Sequence, residues 1–217
     1  MADYTQRRTI MVDTQVRPSD VTKFPIIAAM LSVARETYVP ARLREAAYIG
    51  GNLALDDGRV LLEARSFAKL LDALDIGPTD VVLDIGCGLG YSSAVIAQMA
   101  EFVVAVEDDE ALATEAQTNL SENGVDNAAV VQAPLAQGAA KSGPYDVVIL
   151  QGAAETVPQA IIDQIKEGGR IGCIFADGDL GTVRIGRKNA GKMSWHFSFN
   201  AAAPVLPGFE HEKTFAF

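Results

Sequence analysis

The sequence predicts an α/β fold: a doubly wound, mostly parallel, Rossmann-like sheet with antiparallel C-terminal strands. Three observations predict it. Between Val81 and Phe175 short β-branched runs alternate with helical periods, the pattern of βαβ units. The first run passes straight into a glycine loop, Gly86-Cys87-Gly88-Leu89-Gly90, ahead of a helix. From Trp195 the period shortens to two, with Trp195, Phe197 and Phe199 alternating with His196 and Ser198.

The signals before Arg65 are mixed: helical stretches near 24–34 and 42–48, with turn residues at Gly50-Gly51 and Asp57-Gly58. We expect residues 1–64 to form a helical and looped cap over a ligand site, the whole chain 1–217 being one domain. Phe67, Leu70, Leu71 and Leu74 follow helical spacing and predict a helix leading into Gly77-Pro78. Strands follow at 81–85, 102–106, 128–131, 146–150 and 170–175, near-continuous apolar runs that suit strands covered on both faces. The helix after the glycine loop should open at Ser92 or Ser93. Leu112, Ala113, Ala116 and Leu120 mark another, stopped by Asn123-Gly124. Phe215 and Phe217 repeat the terminal alternation, so antiparallel strands should close the sheet.

Composition narrows the partners. A formal net charge of -10 repels a phosphate backbone, so no nucleic-acid partner is expected. No apolar run reaches the roughly 20 residues of a membrane span and the N-terminus is polar, which gives no membrane partner and a cytoplasmic location. Cys87 and Cys173 read as free thiols, and no metal site is expected because no His, Cys, Asp or Glu cluster has ligand spacing. His196 and His211 lie far from the glycine loop in sequence and read as structural or exposed. The oligomeric state is not legible.

The chemistry concentrates on the segment 82–91, Val-Leu-Asp-Ile-Gly-Cys-Gly-Leu-Gly-Tyr. A phosphate-binding P-loop needs a Lys followed by Ser or Thr after its last glycine, and Tyr91-Ser92 offers none. A dinucleotide loop needs wider spacing between its last two glycines than Gly88 and Gly90 have. The Asp84 carboxylate would also repel a pyrophosphate at the helix N-terminus. S-adenosylmethionine reverses that sign, because it carries a sulfonium and an ammonium but no phosphate. About 20 residues beyond Gly86 the second strand ends at Glu107, placed to accept both ribose hydroxyls. The expected cofactor is therefore S-adenosyl-L-methionine. The expected cofactor-binding residues are Asp84, Ile85, Gly86, Cys87, Gly88, Gly90, Tyr91 and Glu107, with Asp108 beside them. Asp108 reads equally as a solvated helix-start residue, and Cys87 as a small space-filler rather than a nucleophile, since no His is near in sequence to activate it.

Met11-Val12, Gln15-Val16-Arg17, Arg35-Glu36-Thr37-Tyr38-Val39-Pro40, Ala47-Tyr48, the segment 82–91, Tyr145-Asp146-Val147-Val148, Val157-Pro158 and the segment 164–170 follow one another in a specific order. Through them the chain resembles, over most of its length, the protein-L-isoaspartate O-methyltransferase family. The resemblance implies a class I methyltransferase fold and methyl transfer to the α-carboxyl of L-isoaspartyl residues in damaged proteins. The ester then closes to a succinimide that reopens partly to aspartate, which is repair. Such an acceptor is already ionised at neutral pH, so alignment with the sulfonium does most of the work and no catalytic His is needed.

Two departures stand out. The family shows Gly-Gln-Thr-Ile-Ser-Gln-Pro where this chain reads Gly58-Arg59-Val60-Leu61-Leu62-Glu63-Ala64, so Leu62 replaces the family serine. The catalytic residues are therefore unknown. Arg59 is a candidate for binding a substrate carboxylate; Ser66 is a candidate substitute hydroxyl, with a helix N-cap as its more ordinary role. After the third strand the family carries Gly-Asp-Gly, where this chain has Ala133-Pro134-Leu135; these residues line the adenine end without a carboxylate. Three readings stay open: the isoaspartyl enzyme with a protein or peptide substrate, a methyltransferase with another protein or small-molecule acceptor, and a cofactor-binding relative without turnover.

Overall fold

The structure, a computed structural model, describes residues 3–55, 58–178 and 180–211. It begins with helices α1 (Tyr4–Met11) and α2 (Phe24–Ser32), followed by 3-10 turns at Arg35–Tyr38 and Ala41–Ala46. Two short strands, β1 (Leu53–Ala54) and β2 (Val60–Leu61), pair antiparallel as a hairpin. Then come α3 (Ala64–Leu74), β3 (Val81–Ile85), α4 (Tyr91–Ala97), β4 (Phe102–Glu107), α5 (Glu110–Glu122) and β5 (Ala128–Gln132). Finally β6 (Tyr145–Ala154), α6 (Gln159–Asp163), β7 (Ile165–Asp177), β8 (Leu180–Asn189) and β9 (Lys192–Asn200) complete the order.

The main sheet runs β5-β4-β3-β6-β7-β8-β9. The pairs from β5 to β7 are parallel and the last two are antiparallel. Alternation within the strands builds two cores. Val82, Val103, Val147 and Ile149 pack with Phe67, Leu70 and Leu71 of α3 on one face. Leu83, Ile85, Val104, Val106, Val148 and Leu150 pack with Tyr145, Ile161 and Phe209 on the other. Each such fully buried Val, Leu or Ile contributes roughly 1.5–3 kcal/mol, so the apolar runs themselves supply the drive to form the sheet. The first residues of three strands are tied by one carboxylate: Asp146 Oδ2 accepts from the Val81 N–H at 2.9 Å and from Lys166 Nζ at 2.7 Å.

Local chemistry explains the boundaries. Asp109 caps α5, its side chain accepting from the Leu112 N–H at 2.8 Å, and Gly124 at φ +68° turns the chain away after Asn123. The helix after the glycine loop opens at Tyr91, one residue before the expected start, because Gly90 takes the N-cap position. Strand β6 continues beyond Leu150 through small buried residues, Gly152, Ala153 and Ala154. Strand β7 begins at Ile165, where Lys166, Glu167 and two glycines hid the strand and the register shifts. Strand β8 was not expected: Arg184, Arg187, Lys188 and two glycines dilute its alternation, although Val183 and Ile185 are buried. The expected helix near 42–48 is a 3-10 turn. Asp57, Phe215 and Phe217 lie outside the described residues. No helix among the described residues is long and apolar enough to cross a membrane.

Candidate functional site

From β3 the chain moves to β4 on one side, while β6 pairs with β3 on the other, so the carboxyl ends of β3 and β6 flank the topological switch point of the sheet. In open α/β sheets this crevice is where ligands bind. The glycine loop lies over it. The N–H groups of Gly86 and Cys87 donate to Val106 O at 2.8 and 3.3 Å, fastening the loop to β4. Gly86, Gly88 and Gly90 take φ of +75°, +55° and +95°, conformations that a side chain resists. A Cβ on Gly90 would also stand 3.4 Å from Ala116 O, so this third glycine lets α4 and α5 approach closely.

Asp84 ends up beneath the loop, fully buried. Its Oδ2 accepts from the hydroxyls of Ser92 and Ser93, both at 2.6 Å, and its Oδ1 from Gln151 Nε2 at 2.7 Å. Burial pushes its pKa up, and these three donors pull against that rise. The carboxylate therefore organises the start of α4 and the end of β6, and reaches a ligand through those elements. Gln151 went unnoticed in the sequence. Its signal is a polar residue ending the apolar run Val147 to Leu150, at the carboxyl end of a central strand.

Glu107 closes β4 with no exposed surface. Its Oε2 accepts from the Gly88 N–H at 2.9 Å and its Oε1 from the Asp108 N–H at 3.0 Å. The remaining positions are taken by Arg59. Arg59 Nε lies 3.0 and 3.3 Å from the two oxygens, and Nη2 lies 2.9 Å from Oε1. The same Nη2 donates to Asp108 Oδ1. Burial alone would push the Arg59 pKa down, but the two carboxylates raise it above its ordinary value. On Glu107 burial pushes the pKa up against the pull of Arg59. Sequence reasoning placed Arg59 toward a substrate carboxylate and Asp108 at a solvated helix start; in the structure they pair with each other, and Asp109 is the cap.

Beside the glycine loop the crevice is filled by the chain itself. A cavity of about 10 Å³ remains, lined by Tyr38, Leu55, Leu62, Gly86, Tyr91 and Gln151 among others. That is room for about one water, whereas small-molecule sites span roughly 300–1,000 Å³. The cradle left by two glycines is occupied: a Cβ on Gly86 would meet Leu206 at 3.2 Å, and one on Gly88 would meet Leu55 at 3.1 Å. Among the described residues, three buried polar groups in this neighbourhood make no hydrogen bond of ordinary geometry: Arg35 Nη1, Tyr38 Oη and Tyr91 Oη, with Arg35 drawn toward the Tyr91 hydroxyl. Arg35 Cζ sits 4.7 Å from the Tyr91 ring centre and the Tyr38 and Tyr91 rings are 6.1 Å apart, so the three orphans cluster. Buried orphans are rare. A positive-φ glycine cradle, the Glu107 carboxylate and buried tyrosine hydroxyls form a donor and acceptor set that fits S-adenosylmethionine, once Leu55, Arg59 and Leu206 make room.

The other expected residues fall as follows. Ile85 is buried in the second core. Cys87 lines the cavity and burial pushes its thiol well up, which keeps it protonated and unreactive. The Ala133 N–H donates to Glu107 O at 3.0 Å, Pro134 is exposed, and Leu135 lies 3.8 Å from the Cβ position of Gly86. Leu62 lines the cavity, its carbonyl accepting from Arg35 Nη2 at 2.7 Å. Ser66 is not an N-cap. Glu63 holds that position, and the Ser66 hydroxyl donates to Glu63 Oε1 at 2.5 Å, away from the cavity lining. His196 and His211 are exposed. Cys87 and Cys173 are free.

Comparison with known proteins gives a consistent picture. A profile of the family "Protein-L-isoaspartate(D-aspartate) O-methyltransferase (PCMT)" matches residues 7–196. A protein-L-isoaspartate O-methyltransferase of Koribacter versatilis is 31% identical over 186 residues, covering 86% of this chain and 84% of the relative. One from Herpetosiphon aurantiacus is 30% identical over 211 residues, covering 96% and 94%. Among solved structures, a protein-L-isoaspartate O-methyltransferase superimposes with a TM-score of 0.80 at 22% identity, over 94% of this chain and 65% of that one. A Plasmodium falciparum protein described as a putative protein-L-isoaspartate O-methyltransferase, in complex with S-adenosyl-L-homocysteine, gives 0.79 at 17% identity, over 95% and 99%. These two share the fold.

Proposed function

Because the chain belongs to the protein-L-isoaspartate(D-aspartate) O-methyltransferase family, we propose that it is an S-adenosylmethionine-dependent O-methyltransferase whose acceptor is an isoaspartyl carboxylate in a protein or peptide. The observation that carries this reading is the pairing of the glycine loop with Glu107 at the switch point, a fully buried carboxylate whose Oε2 accepts from the Gly88 N–H. The cofactor, when bound, supplies an electrophilic methyl group on a sulfonium. The chain's own residues supply the rest. Glu107, fixed by the Gly88 N–H, would hold the ribose hydroxyls, the segment Ala133 to Leu135 would lie beside the adenine end, and Asp84 keeps the start of α4 and Gln151 in register. Leu55, Leu62 and Leu89 are apolar walls that exclude water from the reacting centre. No side chain is asked to remove a proton, because a carboxylate acceptor is ionised already.

Residues 1–64 act as the cover of this site within a single 1–217 domain, a role supported by Tyr38, Leu55 and Leu62 in the cavity wall. The protein works in the cytoplasm on other proteins, without nucleic acid or membrane. A second reading has its own observation: Leu62 stands in the wall where the resemblance expects a serine, which favours another protein group or a small molecule as acceptor. The test is incubation with an isoaspartyl peptide and methyl-labelled cofactor. A base-labile methyl ester on the peptide is the expected product. Robust cofactor turnover on a different acceptor with no ester on the peptide moves the assignment to the second reading, and no turnover on any acceptor leaves a binding protein.

A further inference from the structure

Resting on that cofactor reading, we propose that Arg59 is an internal competitor for the ribose site: its guanidinium holds Glu107 until the cofactor displaces it, and so sets cofactor affinity. A carboxylate offers about four acceptor positions. On Glu107, Oε1 accepts from the Asp108 N–H and from Arg59 Nε and Nη2, while Oε2 accepts from the Gly88 N–H and, at 3.3 Å, from Arg59 Nε. Two ribose hydroxyls have nowhere to donate while Arg59 stays. Its guanidinium therefore plays the part a pair of hydroxyls would play, with a charge added.

Arg59 sits on a small hairpin. The hairpin is held by two short strands, with Leu53 opposite Leu61 and Ala54 opposite Val60, and its Leu55 N–H donates to Arg59 O at 2.8 Å. That bond joins Leu55 and Arg59 backbone to backbone, so one hairpin supplies both the contact on Gly88 and the guanidinium on Glu107. The exit is furnished as well. Asp108 pairs with the same guanidinium but is 31% exposed where Glu107 is 0%. Swinging toward Asp108 keeps an ion pair and regains solvent, so displacement does not strand a buried cation. A buried pair also gives up in desolvation much of what it gains in attraction, which keeps the latch weak enough for a neutral pair of hydroxyls to open.

The test is titration of the purified full chain with S-adenosylhomocysteine, as wild type, Arg59→Lys and Arg59→Gln. Loss of the competitor should tighten binding at least about tenfold in Arg59→Gln, with Arg59→Lys between, because a lysine cannot grip both oxygens as a fork. A measurement on the wild type alone does not depend on how the variants fold: the Arg59 Nε–H resonance in a nitrogen-15 spectrum should shift and exchange faster with water once adenosylhomocysteine saturates the site. Binding in the wild type that is unchanged or weakened in Arg59→Gln, or an Nε–H signal indifferent to bound ligand, overturns the latch while sparing the cofactor reading. Failure of every form to bind adenosylhomocysteine overturns both.

Discussion

Glu107 and Leu62 decide different things about this site. Glu107 and Asp84 were legible in the sequence because an acidic residue ending an apolar strand beside a glycine loop has few ordinary reasons to be there. Their partners were not. Arg59 meets Glu107 across 48 residues of chain, Gln151 meets Asp84 across 67, and no local period encodes either meeting. Leu206, which seats against Gly86, gave no signal at all. Leu62 was legible only through the family resemblance, and it yields a prediction: Leu62→Ser should raise methyl-ester formation on an isoaspartyl peptide, at a stability cost of about 2–5 kcal/mol for emptying a 3% exposed leucine site. Peptide methylation and urea unfolding of the same preparation check both halves. Unchanged methylation in a folded variant would show that the missing hydroxyl does not limit the reaction.

At the scale of elements, the parallel strands were legible because coverage on both faces writes itself as continuous valine, isoleucine and leucine. Strand β8 was not, since it pairs antiparallel near the sheet edge and carries three basic residues on its wetter positions. The hairpin β1–β2 is too short for any period to reveal. How the elements are joined is testable at Asp146, which ties the starts of β3, β6 and β7 and is 25% exposed. Burial pushes this carboxyl up, but Lys166 and the Val81 N–H outweigh it and hold its pKa below the ordinary value. A folded pKa below the unfolded one means the stabilisation is fully present above the unfolded value near pH 4 and is lost as the pH falls through the lower folded value. Asp146→Asn should therefore cost on the order of 1–2 kcal/mol at pH 7 and progressively less below about pH 4. Urea unfolding at pH 7 and pH 3 measures this, and an equal penalty at both would show that charge is not what holds the three strands.

For the whole molecule, the sheet order puts the switch point at the carboxyl ends of β3 and β6, and the sequence reading places the site there too, between the first strand and its glycine loop. What the sequence did not contain was the filling of that crevice, with Leu206 on Gly86, Leu55 on Gly88 and Arg59 on Glu107. That follows from the hairpin and the segment around Leu206 converging on the glycine loop, each of which reads locally as ordinary. The central claim is that this crevice accepts an adenosyl group bearing an amino acid and rejects one bearing phosphate. The most direct measurement is thermal unfolding of the wild-type chain with S-adenosylhomocysteine, NAD or ATP added in turn. At about a hundredfold excess over Kd, adenosylhomocysteine should stabilise by about 2.7 kcal/mol, a rise of roughly 5–10 °C for a chain of this size, with no shift from the other two. A rise with NAD or ATP and none with adenosylhomocysteine would contradict the account.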